Sequence, residues 1–83
     1  MEILNFEDFF YETWEKVPSE VVNDYVWSNN IDLIKELTFV FYNIYYNSII
    51  IKDNYITSEM DPQRTANLLI SIFSTINKIG III

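Results

Sequence analysis

Eighty-three residues with neither cysteine nor histidine make one domain, and that composition argues against disulfides, thiol chemistry and zinc or transition-metal sites. Twelve acids against five bases leave a net charge of −7, which repels phosphate backbones and anionic lipid and so argues against direct nucleic-acid binding and membrane-surface attachment. With no covalent or metal brace, so short a chain relies on self-association or on an aromatic core, for which 17% Phe, Tyr and Trp suffices.

Asn5 is placed to cap a first helix, with Asp8 three residues on in a weak capping-box role. Phe6, Phe9, Phe10, Trp14 and Val17 fall on one face of it, and Asp8, Glu12 and Glu15 line the other. Pro18 stops this helix, because the residue before a proline is pushed out of the α region. Ser19 then caps a short second helix from Glu20 to about Trp27, with Val22, Tyr25 and Val26 turned inward. Ser28, Asn29 and Asn30 break the chain, and Asn30 caps the next helix.

The third helix is predicted to be the longest, from Ile31 to about Lys52. Its polar residues Asp32, Glu36, Asn43, Asn47 and Asn54 make a single narrow stripe, and the rest of its circumference is apolar. Such a helix is either central in its domain or shared with a second copy. The β-branched cluster Ile49, Ile50 and Ile51 also fits a strand, but the flanking pattern keeps the helical period. The fourth helix has the clearest boundaries: Asp61 as N-cap, Pro62 at the first helical position, Lys78 in the last turn and Gly80 as left-handed cap. Ala66, Leu69, Ile70, Phe73 and Ile76 form its buried face. The three isoleucines after Gly80 are expected to dock on the bundle or on a partner. The expected fold is therefore all-α over residues 1–83: a small four-helix bundle, its long third helix central and the first and fourth packed against it.

The longest uncharged run, Leu37 to Ile51, has 15 residues, short of the roughly 20 that span a bilayer. Glu2, Glu7 and Asp8 stand where a signal peptide carries basic residues, so a cytoplasmic protein is expected. The charge is uneven. Residues 1–36 hold nine acids and two bases, whereas the remainder balances three against three.

Catalytic use of the carboxylates on the first helix would need one of them in an apolar pocket, and they lie opposite the apolar stripe. Calcium loops need acids or asparagines alternating around a glycine, and nothing here matches. Without histidine a Ser or Thr nucleophile needs Lys or a carboxylate as base, while Lys16, Lys35 and Lys52 read as surface charges. A single glycine rules out a glycine-rich phosphate loop. No catalytic, cofactor or metal site is expected, and the chain does not read as an enzyme.

What remains is contact with another protein. Asp8, Glu12 and Glu15 are the candidate partner-facing carboxylates. Trp14 belongs to the core by its spacing, whereas Trp27, beside the Ser-Asn-Asn break, can join Tyr25 and Tyr11 in an aromatic anchor patch. The expected function is a small acidic module that binds and masks a partner with a basic surface, as an inhibitor or immunity-type accessory protein does. DNA mimicry is the sharpest form of that reading. The alternatives are a homodimer or structural subunit built on the apolar surplus of the third and fourth helices, and a carrier of an apolar ligand.

Overall fold

The computed structural model describes residues 2–79. Asn5 opens the first helix as its sequence position predicts, its side chain accepting the Asp8 N–H at 2.8 Å, and α1 runs Phe6–Trp14. It ends ahead of Pro18. The Lys16 and Val17 N–H groups turn back to the carbonyls of Thr13 and Trp14, tightening the last turn.

Ser19 does not cap the second helix. The Pro18 carbonyl accepts the N–H groups of both Val21 and Val22, holding a turn there. The helix, α2 (Asp24–Asn29), waits for Asn23, whose side chain accepts the Val26 N–H at 2.9 Å. Ser19 and Asn23 are comparable caps, each followed by an acid, and the turn already formed at Pro18 leaves the helix start to Asn23. Asn30 separates α2 from α3 (Ile31–Asn47), but its side chain makes no cap bond to α3. It donates instead to the Val26 carbonyl at 2.9 Å, closing the end of α2.

The all-α expectation fails after Asn47. The third helix does not reach Lys52; Ser48 ends it, with its hydroxyl donating to the Ile44 carbonyl at 2.6 Å. A hairpin comes next: β1 (Ile50–Lys52) pairs antiparallel with β2 (Tyr55–Thr57), Ile50 opposite Thr57, Ile51 opposite Ile56 and Lys52 opposite Tyr55. The two residues between them, Asp53 and Asn54, both adopt positive φ, 51° and 65°. Left-handed conformations at both central positions define the tight turn whose twist matches paired strands, and Asp and Asn tolerate them best after glycine. Among the described residues the fold is therefore mixed: four helices plus one small antiparallel sheet, not a pure helical bundle.

The last helix, α4 (Pro62–Ile79), starts where predicted, with the Asp61 carboxylate accepting the Arg64 N–H at 2.8 Å. The proposed cap at Gly80 and the docking of Ile81, Ile82 and Ile83 lie outside the described residues.

Packing corrects a second expectation. The central helix is α1, which packs against both α3 and α4, while α2 packs on α3. Phe9 is fully buried against the rings of Tyr42 and Tyr45 from α3. Trp14 lies edge-on to Phe73 of α4 and donates its indole N–H to Thr38 of α3 at 2.9 Å. The buried cluster Val22, Val26, Ile34, Leu69 and Phe73 completes the core. The small residues Thr13, Thr38, Thr65 and Ala66 are fully buried too and leave room for close approach of backbones. Although α3 is apolar nearly all round, Leu33, Phe39, Val40, Ile44 and Tyr46 remain exposed. The result is an elongated body of 46 × 19 × 18 Å.

The segment ahead of α1 is tied down by two tyrosines. The Leu4 N–H donates to the Tyr45 hydroxyl at 2.9 Å, and the Tyr42 hydroxyl donates to the Leu4 carbonyl at 3.0 Å. Burial pushes the Tyr42 hydroxyl above the ordinary tyrosine pKa, and the neighbouring Tyr45 and Tyr46 raise it further.

Candidate functional site

Because Phe9 and Thr13 face the core, the helical period turns Glu7, Asp8, Tyr11 and Glu15 outward. Asp8 and Glu15 are exposed, and Glu12 is half-buried at the margin of the same line. Among the described residues, ion pairing is limited to Lys16 with Glu15 at 3.8 Å. The acidic excess of the first half is therefore not neutralised within the fold.

Tyr11 stands in the middle of these acids. It is 65% exposed, and Glu7, Asp8 and Glu15 lie one helical turn from it on either side. Its ring rests on Phe10, with centroids 6.1 Å apart. A phenol ringed by carboxylates offers an apolar plate, a hydroxyl and negative charge together, which suits a Lys- or Arg-bearing surface.

Beside this face runs a groove that the sequence pattern alone does not disclose. Phe6, Glu7, Phe10, Tyr11 and Lys35 line an open depression of about 350 Å³, and Phe6, Lys35, Glu36, Phe39 and Val40 line a second of about 500 Å³. Both share Phe6 and Lys35. The available signal was the apolar circumference of the third helix, which includes Phe39 and Tyr42. That side meets α1 only in part: Phe6 packs edge-on against Phe39 and Tyr42 but leaves Phe39 exposed.

The predicted aromatic anchor is only partly assembled. Trp27 turns inward, edge-on to Trp14 at 5.0 Å and to Phe10 at 5.8 Å, and is half-buried. Phe10 thus lies between Tyr11 and Trp27. Tyr25 is exposed, but the ring contacts among the described residues do not join it to either. Only Tyr11 and Tyr25 of the three present their rings to solvent.

A second polar cluster lies where α3, the hairpin and α4 meet. The Ser48 and Ser58 hydroxyls are 2.7 Å apart, and Ser58 also donates to the Tyr45 carbonyl at 2.8 Å. Arg64 donates to the carbonyls of Ser58 and Glu59 at 2.9 and 3.2 Å. Every one of these groups is engaged with a neighbour in the chain. The cluster fixes the hairpin to the start of α4, and Glu59 lines the same surface depression as both hydroxyls.

Among the described residues no three Asp, Glu, His or Cys side chains gather to hold a metal ion. No helix there is long and apolar enough to cross a membrane. No family model, curated protein or solved structure matches this chain.

Proposed function

We propose that this chain is a protein-interaction module that binds and masks a basic surface of another protein through the outward face of α1. The observation that carries the reading is the exposed Tyr11 set among Glu7, Asp8 and Glu15, with Lys16 the lone ion-paired cation among the described residues. Exposed acids without partners add little to stability and repel one another. Toward a cationic surface the same charges accelerate encounter, and Tyr11 supplies the area that holds the complex. Masking of this kind is the action of an inhibitor or immunity-type protein. A basic nucleic-acid-binding groove is one surface such a face would fit.

The test is a pull-down from host lysate at low and high salt, followed by kinetics with the captured protein. Changing Asp8, Glu12 and Glu15 together to Lys leaves the helical circular dichroism intact and abolishes binding. Single reversals slow association more than they speed dissociation, and added salt weakens binding by screening. Binding that survives the triple reversal and ignores ionic strength overturns the proposal.

A further inference from the structure

α3 carries a self-matching apolar row that borders the groove at Phe39 through Val40. Leu33, Leu37, Val40 and Ile44 recur at intervals of four, three and four residues, the spacing that keeps one helix seam turned toward another helix. Leu33, Val40 and Ile44 are 41%, 55% and 40% exposed. Leu37 is half-buried and rests on the core cluster from within. The row is backed by Ile34 and Thr38, both fully buried, so its shape is fixed by the fold.

We propose that a second copy of this chain docks along this row, with the two α3 helices antiparallel about a twofold axis between Leu37 and Val40. Reversing the row about that axis sets Leu33 against Ile44 of the partner and Leu37 against Val40 of the partner, so each position meets its complement. An isologous interface requires that self-match.

Charge supports the same occupant. The row contains no ionisable residue in a chain of net charge −7, so two acidic copies approach there without opposing carboxylates. A basic partner gains nothing from it. Glu36 borders the row. Antiparallel docking about that axis sets each Glu36 near the partner's Asn43, a neutral amide that can donate to it. The row from Leu33 to Ile44 runs about 17 Å along the helix, and two such rows bury at most on the order of 1,000 Å², the size of a weak interface that dissociates on dilution.

Sedimentation of the full chain tests this. Twice the chain mass is expected at high micromolar concentration, falling to one on dilution, and one chain mass throughout overturns the proposal. Val40→Glu changes an exposed side chain, so helical circular dichroism is retained while the mass drops to one chain; a dimer that persists in it places the interface elsewhere. The chain has no cysteine, so crosslinking reads the direction on a clean background. A mixture of Leu33→Cys and Ile44→Cys chains forms the mixed disulfide on oxidation, and Ile44→Cys alone does not. Efficient crosslinking of Ile44→Cys alone overturns the antiparallel arrangement. The acid reversals on α1 leave the mass unchanged, which separates this surface from the proposed partner face.

Discussion

Thr13, Thr38 and Thr65 are all fully buried, yet their hydroxyls stand in opposite positions. Thr38 accepts from the Trp14 indole and donates to the Ile34 carbonyl at 2.6 Å, so both roles of its hydroxyl are used. The hydroxyls of Thr13 and Thr65 have no hydrogen-bond partner among the described residues. An unmade buried hydrogen bond costs about 1–3 kcal/mol, whereas an apolar group of the same shape avoids that cost. Thr13→Val and Thr65→Val are therefore expected to raise the thermal midpoint, each by up to about 1 kcal/mol of stability. Thr38→Val strands the Trp14 N–H and is expected to lose about 1–3 kcal/mol. Equal effects of the three in denaturant titrations would show that the hydroxyls are equivalent after all. Tyr42 makes a second residue-scale prediction. Its protonated hydroxyl donates to Leu4, and its pKa in the fold lies above the ordinary 10.0. The folded state thus holds this proton more tightly than the unfolded chain. The stabilisation is complete below the unfolded value and is lost as pH rises through the folded one. Tyr42→Phe should cost about 1 kcal/mol at neutral pH and flatten the decline in stability above about pH 10; an unchanged alkaline slope would assign that decline to other groups.

At the scale of elements, what could be read in the sequence tracked how local each signal is. Asn5 and Asp61 cap helices through bonds to residues three positions on, so sequence spacing alone locates them. The hairpin was harder to see, because Ile49, Ile50 and Ile51 continue the apolar period of the preceding helix. The deciding signals were Ser48, whose hydroxyl closes α3, and the Asp53–Asn54 pair, which tolerates two left-handed residues between the β-branched Ile51 and Ile56. The second helix was misplaced for a similar reason: Ser19 and Asn23 are both plausible caps, and the Pro18 turn decides between them. Asn54, at φ 65°, sits where glycine costs least. Asn54→Gly is expected to stabilise the hairpin by up to about 1 kcal/mol, because relief of the left-handed cost exceeds glycine's entropic penalty; it is read as slower amide exchange at the hydrogen-bonded pairs Lys52–Tyr55 and Ile50–Thr57. Faster exchange there would show that the asparagine side chain itself holds the turn.

For the whole molecule, the sequence pattern identified α3 as the most apolar helix but did not reveal how it is used. Apolarity all round suggested a helix either central in its domain or shared with a second copy, and the expected bundle put it at the centre. Instead nine-residue α1 takes the centre, because Phe9, Thr13 and Trp14 present two large rings around one small side chain and so fit between two neighbours. That leaves α3 with apolar residues facing outward on two sides. Of the candidate site, the acidic line was legible because it is periodic within one helix. Trp27 was not, since its burial depends on Trp14 and Phe10 arriving from another element, and the grooves at Lys35 likewise exist only once α1 and α3 meet.

The central position of α1 also bears on how the chain is made. Synthesis runs from the N-terminus, so the aromatic face of α1 is produced before α3 and well before α4, whose Phe73 completes the cover over Trp14. Until then the ribosome-bound segment displays Phe6, Phe9, Phe10 and Trp14 with no neighbour to receive them. Contacts so distant in sequence form slowly and leave apolar surface open to association in the interval. The acids interleaved on the same nine-residue segment, Glu7, Asp8 and Glu12, repel their counterparts on another copy and so oppose association of such exposed segments.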